Sequence, residues 1–189
     1  LNLSHIPLEN KFVRLALLEE AHRESLRAAA SDPSIWRHWS RDVSDWDGTI
    51  DMNLEQVKTG ERLLYTVFDA QGVIVGQTGY LNVRPADDSV EIGNTWYAPP
   101  AQGGKINPAA KLLLIEHAFA CGAERVEIKT DAHNARSRAA IAKLGAQFEG
   151  IIRKQMRKSD GTLRDSAFFS IIREELPAVR AGLEARLAA

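Results

Sequence analysis

The run from Trp96 to Gly122, WYAPPAQGGKINPAAKLLLIEHAFACG, restricts the fold more than any other stretch. It reads as a strand end at Thr95, Trp96 and Tyr97, then a Pro- and Gly-rich loop from Ala98 to Lys105, then a helix announced by Asn107 and Pro108. A helix entered from a glycine loop presents free backbone N–H groups and the positive end of its dipole, and glycine lets a ligand approach the backbone closely. We read the loop as a pyrophosphate cradle, with backbone N–H groups from Gly103, Gly104, Lys105, Ile106 and Asn107; the alternative is an ordinary connection. Asn107 is expected to cap the helix, Leu112, Ile115 and Phe119 to form its apolar stripe, and Gly122 to end it.

Around this junction the hydrophobic period changes repeatedly. Lys11 to Leu18 alternates as a strand, and Glu19 to Ala30 reads as a helix stopped by Ser31, Asp32 and Pro33. Thr49 to Gly60 reads as a second helix, capped by Thr49. Leu63 to Ala70 and Val73 to Val83 flank Gln71-Gly72 as a hairpin. Val90 to Tyr97 is a strand interrupted at Gly93-Asn94, which marks a bulge or a close approach by a ligand. Beyond the central helix come a strand (Arg125 to Asp131), a short helix (Asn134 to Leu144) and two strands (Gln147 to Lys158, Leu163 to Arg173) around Asp160-Gly161. An amphipathic helix, Leu176 to Leu187, closes the chain. This order predicts an α+β fold on a mixed, mainly antiparallel sheet, in which only the strands flanking the Asn107 helix are parallel neighbours.

A length of 189 residues suits a single domain, with its core over 9–173 and the last helix docked on it. Lys plus Arg (24) nearly equals Asp plus Glu (25), so the chain lacks the basic field of a nucleic-acid binder. The single cysteine, Cys121, excludes an internal disulfide, and no Cys/His grouping has metal-ligand spacing, so no metal is expected. No segment approaches the roughly 20 apolar residues of a membrane span, which leads to an expectation of a cytoplasmic location and no membrane partner.

Ser34 to Gly48 interleaves Trp36, Trp39 and Trp46 with Asp42, Asp45 and Asp47. Either these aromatics form a satellite core under a loop, or Trp36, Trp39 and Asp45 belong to an acceptor pocket whose rings and carboxylates attract a cationic amine.

Ile92 to Asn94, Gln102-Gly103-Gly104-Lys105, Asn107 to Lys111 and Asn134-Ala135-Arg136-Ser137, in this order, resemble the GNAT superfamily of acetyl-CoA dependent N-acetyltransferases. Within it, the chain looks most like the branch of bacterial ribosomal-protein N-terminal acetyltransferases, over roughly 9–173. The resemblance implies acetyl-CoA as cosubstrate and an amine acceptor, either a protein N-terminus or a small molecule such as an amino sugar, polyamine or aminoglycoside. It also implies that Gln102 opens the pyrophosphate loop, that backbone groups through Thr95, Trp96 and Tyr97 bind the pantetheine arm, and that Asn134 contacts it. Glu91, on the strand lining the slot, is the candidate general base, and Ser137 the candidate proton donor to the thiolate. The chain departs from the family where a final Gly or Ala is usual, having Lys105-Ile106-Asn107 instead. It also has Gln155, Met156 and Arg157 where the branch would place a second carboxylate. A non-catalytic acyl-CoA binding module is therefore carried as an alternative. A homodimer is suggested by the resemblance and by the long apolar strands near the C-terminus.

Overall fold

The computed structural model describes residues 1–189. Eight strands form one sheet in the order β1-β2-β3-β4-β5-β6-β8-β7. They are β1 (Leu8–Glu9), β2 (Val13–Leu17), β3 (Leu63–Asp69), β4 (Ile74–Arg84), β5 (Ser89–Tyr97), β6 (Arg125–Asp131), β7 (Gln147–Arg157) and β8 (Leu163–Ile172). All neighbours are antiparallel except β5 and β6, as expected for strands joined by a helical crossover. The helices are α1 (Arg23–Ala29), α2 (Trp46–Lys58), α3 (Ile106–Ala120), α4 (Ala135–Ala142) and α5 (Leu176–Ala188). None is long and apolar enough to cross a membrane.

Alternation along the strands divides the core. Val90, Ile92, Val126 and Ile128 join Leu114, Ile115 and Phe119 of α3 and Val179 and Leu183 of α5 in the larger cluster. Leu64 and Trp96 turn the other way and pack with Leu26 of α1 and with Trp46 and Ile50 of α2. Burying a large apolar side chain contributes about 1.5–3 kcal/mol, so these two layers fix the sheet between α3, α4 and α5 on one face and α1 and α2 on the other.

Two helix starts differ from the sequence expectation. Asp45, and not Thr49, caps α2, its carboxylate accepting from Gly48 N at 3.0 Å, because Asp at this position reaches the free amides a turn earlier. The helix α3 begins at Ile106 with no side-chain cap, so Asn107 lies inside its first turn. Asn134 does cap α4, accepting from Ser137 N at 3.0 Å. Gly122 (φ 94°) and Gly145 (φ 93°) terminate α3 and α4 in the left-handed region.

One register feature sets up the rest. β5 and β6 pair only through Ser89–Arg125, Val90–Val126 and Glu91–Glu127, although β5 runs on to Tyr97 and β6 to Asp131. Beyond Glu91 each strand stays paired on its outer side, β5 to β4 as far as Tyr97–Gly76 and β6 to β8 as far as Asp131–Ser166. The sheet therefore opens as a wedge. On β5, Asn94 and Thr95 together oppose Thr78, a bulge in which Asn94 takes φ 51°.

Gly79 lies in register between Leu64 of β3 and Gly93 of β5. A Cβ there would sit 2.5 Å from Leu63 O and 2.9 Å from Leu64 Cα, atoms of a central strand that cannot turn aside. Gly79→Ala should therefore cost about 1–3 kcal/mol and lower Tm by several degrees, read by thermal unfolding. An unchanged Tm would mean that the row next to the bulge is loosely packed.

Candidate active site

The bulge changes the parity of β5. Glu91, Gly93 and Trp96 face the α1/α2 layer, while Ile92, Thr95 and Tyr97 face α3. Under the bulge on the α3 side lies Lys111, only 4% exposed. Its Nζ donates to Thr95 Oγ1 at 2.7 Å and to Thr78 Oγ1 at 3.2 Å, and these hydroxyls are 2.8 Å apart. No carboxylate pairs with it, and desolvation alone pushes its pKa down from 10.5 to about 7.

Past the end of β5, Gln102 folds back and donates from Nε2 to Tyr97 O at 2.7 Å, which ties the loop to the strand. Gly103 adopts φ 81°. The backbone N–H groups of Gly103, Gly104, Lys105, Ile106 and Asn107 have no protein acceptor, because α3 starts without a cap and Pro108 follows. That row of amides at a helix start is chemically suited to a pyrophosphate. Gly103 and Gly104 have open space where a Cβ would be.

Glu91 sits at the apex of the wedge, in the last pair before the strands part, and is 3% exposed. Its Oε2 accepts from Asn82 Nδ2 at 2.8 Å and from Lys129 Nζ at 2.9 Å. Its Oε1 takes no hydrogen bond and lies 3.2 Å from where a Cβ of Gly93 would be, a point that Leu81 Cδ1 approaches to 2.6 Å. Across the wedge, β6 leads into Asn134 and α4. The Ser137 hydroxyl in the first turn is half-buried and unbonded, while its amide is held by Asn134. Because β5 and β6 are parallel, their C-terminal ends deliver the α3 loop and the α4 start to one side of the sheet.

On the α1/α2 face, away from Lys111, all four tryptophans meet. Trp36 lies 5.3 Å from Trp39 and from Trp96, and Trp46 lies 6.1 Å from Trp96, centroid to centroid. Trp36 and Trp39 thus serve as core and also line a small pocket, together with Trp46, Arg41, Gln77 and Asn94. Asp45 is not in its wall, being engaged as the α2 cap. The β7–β8 hairpin reaches the same segment, with Ser159 N donating to Ser40 O at 2.8 Å.

Residues 13–147 match the acetyltransferase (GNAT) domain family. The chain belongs to the GNAT acetyltransferase family. An acetyltransferase structure from T. thermophilus shares 35% identity with a TM-score of 0.86, covering 96% of each chain. A GCN5-related N-acetyltransferase from Brucella melitensis shares 27% identity with a TM-score of 0.90, covering 99% of this chain and 87% of that one. Mycobacterium smegmatis RimJ, solved with CoA-disulfide, shares 25% identity with a TM-score of 0.77 over 95% of this chain and 92% of its own, in keeping with the ribosomal-protein branch. No curated protein sequence matches the chain.

Several groups of the candidate site escape sequence reading. Lys111 is spelled inside an apolar helix run, where a lone lysine reads as solvent-facing. Asn82, Lys129 and Gln77 lie on strands at positions that only register brings beside Glu91 and the pocket.

Lys111 carries a test of its own. Its folded-state pKa lies below the unfolded value, so between about pH 7 and 10.5 the unfolded chain binds a proton that the folded chain does not, and stability rises with pH across that window. Below about pH 7 the cost of burying the charge is fully present. The stability gap between wild type and Lys111→Met should therefore shift in favour of the wild type on going from pH 7 to 10, by about 1 kcal/mol per pH unit, as read by urea unfolding. Parallel profiles would show that the amine stays charged.

Proposed function

We propose that this GNAT chain transfers acetyl from acetyl-CoA to a primary amine, by direct attack within a ternary complex. The observation that carries the reading is the wedge between β5 and β6, with Glu91 at its apex and five unpartnered amides beyond its mouth. A pyrophosphate needs N–H donors, and Gly103 to Asn107 offer them. When bound, acetyl-CoA supplies an acetyl group activated as a thioester.

The chain's residues then divide the proton traffic. Lys129 and Asn82 orient the Glu91 carboxylate through Oε2, which leaves Oε1 to accept a proton from the amine, directly or through one water, as nitrogen attacks the carbonyl carbon. The β5 main chain past the bulge has no partner on the β6 side, so its N–H groups can polarise that carbonyl. As the carbon–sulfur bond breaks, the Ser137 hydroxyl protonates the sulfur. Amide and free thiol leave, and the proton taken by Glu91 returns to Ser137 through solvent. Gln102 keeps the phosphate loop against the strand, and Asn134 sets the start of α4 beside the arm of the cosubstrate.

Saturating acetyl-CoA should raise Tm, and adding a panel of peptides and small amines should release free CoA thiol. No thermal shift would sink the reading, whereas a shift with no thiol release from any amine would point to an acyl-CoA binding module. Glu91→Gln should keep the acetyl-CoA shift and lower kcat/KM by about 10²–10⁴-fold. An unchanged rate and pH profile would remove Glu91 as the base.

A further inference from the structure

Three buried N–H donors in the tryptophan pocket have no partner. They are Gln77 Nε2, Trp46 Nε1 and Asn94 Nδ2. Gln77 is only 1% exposed, and its amide orientation is set by Trp96, whose indole N–H can only donate and does so to Gln77 Oε1 at 3.3 Å. The indole of Trp46 likewise can only donate. A buried donor left unpaired costs roughly 1–3 kcal/mol, so donors sharing one pocket are an uncommon arrangement unless something accepts from them.

The wall also holds a cation and no carboxylate. Arg41 lines the pocket, and its only hydrogen bond is a 3.7 Å contact to Met52 Sδ. Nearby, burial and then the charge of Arg41 disfavour the charge on Arg62, while Glu61 and Glu91 favour it. The acids of the neighbouring loop are committed elsewhere. Asp42 accepts from Ser44 N, Asp45 from Gly48 N, and Asp47 pairs with Arg23 and Arg27. An ammonium or a polyamine would meet donors and guanidinium charge here, with no anion to balance it.

We propose that this pocket seats a carboxylate carried by the acceptor, so that the amine acetylated belongs to an amino acid or a similar small carboxylate-bearing molecule. The inference rests on the acetyl-transfer reading above and adds the acceptor's class to it. The pocket is partly open and its accessible volume is about 10 Å³, room for one oxygen-sized group. A carboxylate offers about four acceptor sites to these donors, where a water offers two, and it carries the charge that Arg41 lacks a carboxylate partner for. The site lies beside Trp96, on the face of β5 that carries Glu91, so a carboxylate held there places a nearby amine toward the base.

The test uses the full chain saturated with CoA and follows intrinsic tryptophan fluorescence. A panel of α-amino acids is titrated against their decarboxylated amines and their carboxamides, and the same three series are run for thiol release with acetyl-CoA. At least one acid should bind about tenfold or more tighter than its decarboxylated counterpart, a ratio of the size that a charged hydrogen bond supplies. Trp46→Phe, which removes a donor and keeps a ring, and Arg41→Met should each reduce that ratio several-fold while the thermal shift with acetyl-CoA persists. Equal binding of acids and decarboxylated amines would overturn the proposal and leave a water as the occupant. Equal binding of acids and carboxamides would overturn the carboxylate in favour of a peptide-type carbonyl. Neither result touches acetyl transfer itself, which fails separately if acetyl-CoA gives no thermal shift.

Discussion

The parting of β5 from β6 after Glu91 is the constraint on which the site depends. A sheet that stops pairing in its middle would collapse or recruit water unless each strand were held from behind, and here each is. β4 holds β5 through the bulge to Tyr97, and β8 holds β6 to Asp131. The opening is thus a fixed gap in a fully used sheet, with the unpaired backbone groups of two strands facing each other across it. Because those strands are parallel, the loop leading into α3 and the start of α4 come to the same side, one with free amides and the other with the Ser137 hydroxyl.

The bulge adds a second consequence. A regular strand would place Gly93 and Thr95 on one face and Trp96 on the other. The extra residue instead turns Trp96 to the α1/α2 layer and Thr95 to α3. Trp96 then completes the tryptophan cluster and fixes the amide of Gln77, while Thr95 meets Lys111 below the bulge. One irregular residue, Asn94, therefore shapes both sides of the sheet. A lysine buried against hydroxyls in place of a carboxylate is costly to charge, and its bonds to Thr95 and Thr78 tie α3 to both strands at the bulge.

What could be read from the residues was whatever chemistry is local. Strand alternation, the glycine stops at Gly122 and Gly145, the Asn134 cap, the Gly93-Asn94 interruption and the lone parallel pair all follow from period, turn preference and crossover length. The exact helix starts were less accessible, because Asp45 and Thr49 are both competent caps and only the path of the chain into α2 selects between them. The surroundings of Glu91 were hidden for a different reason. Asn82 and Lys129 reach it from the two neighbouring strands, and their proximity depends on register across a sheet whose pairing breaks at that point.

In the segment Ser34 to Gly48, composition does not show which charges folding leaves free. Its aspartates suggest a site for a cation, yet a short carboxylate in a loop finds the backbone N–H two or three residues ahead more readily than it finds a ligand, as Asp42 and Asp45 do. Their charge is absorbed by the turn that they make. The polarity left to the pocket comes instead from side chains that cannot reach such partners, Gln77 on a central strand and Trp46 at the start of α2. What a pocket can bind is decided by the groups that folding leaves unpaired, and here those groups are donors.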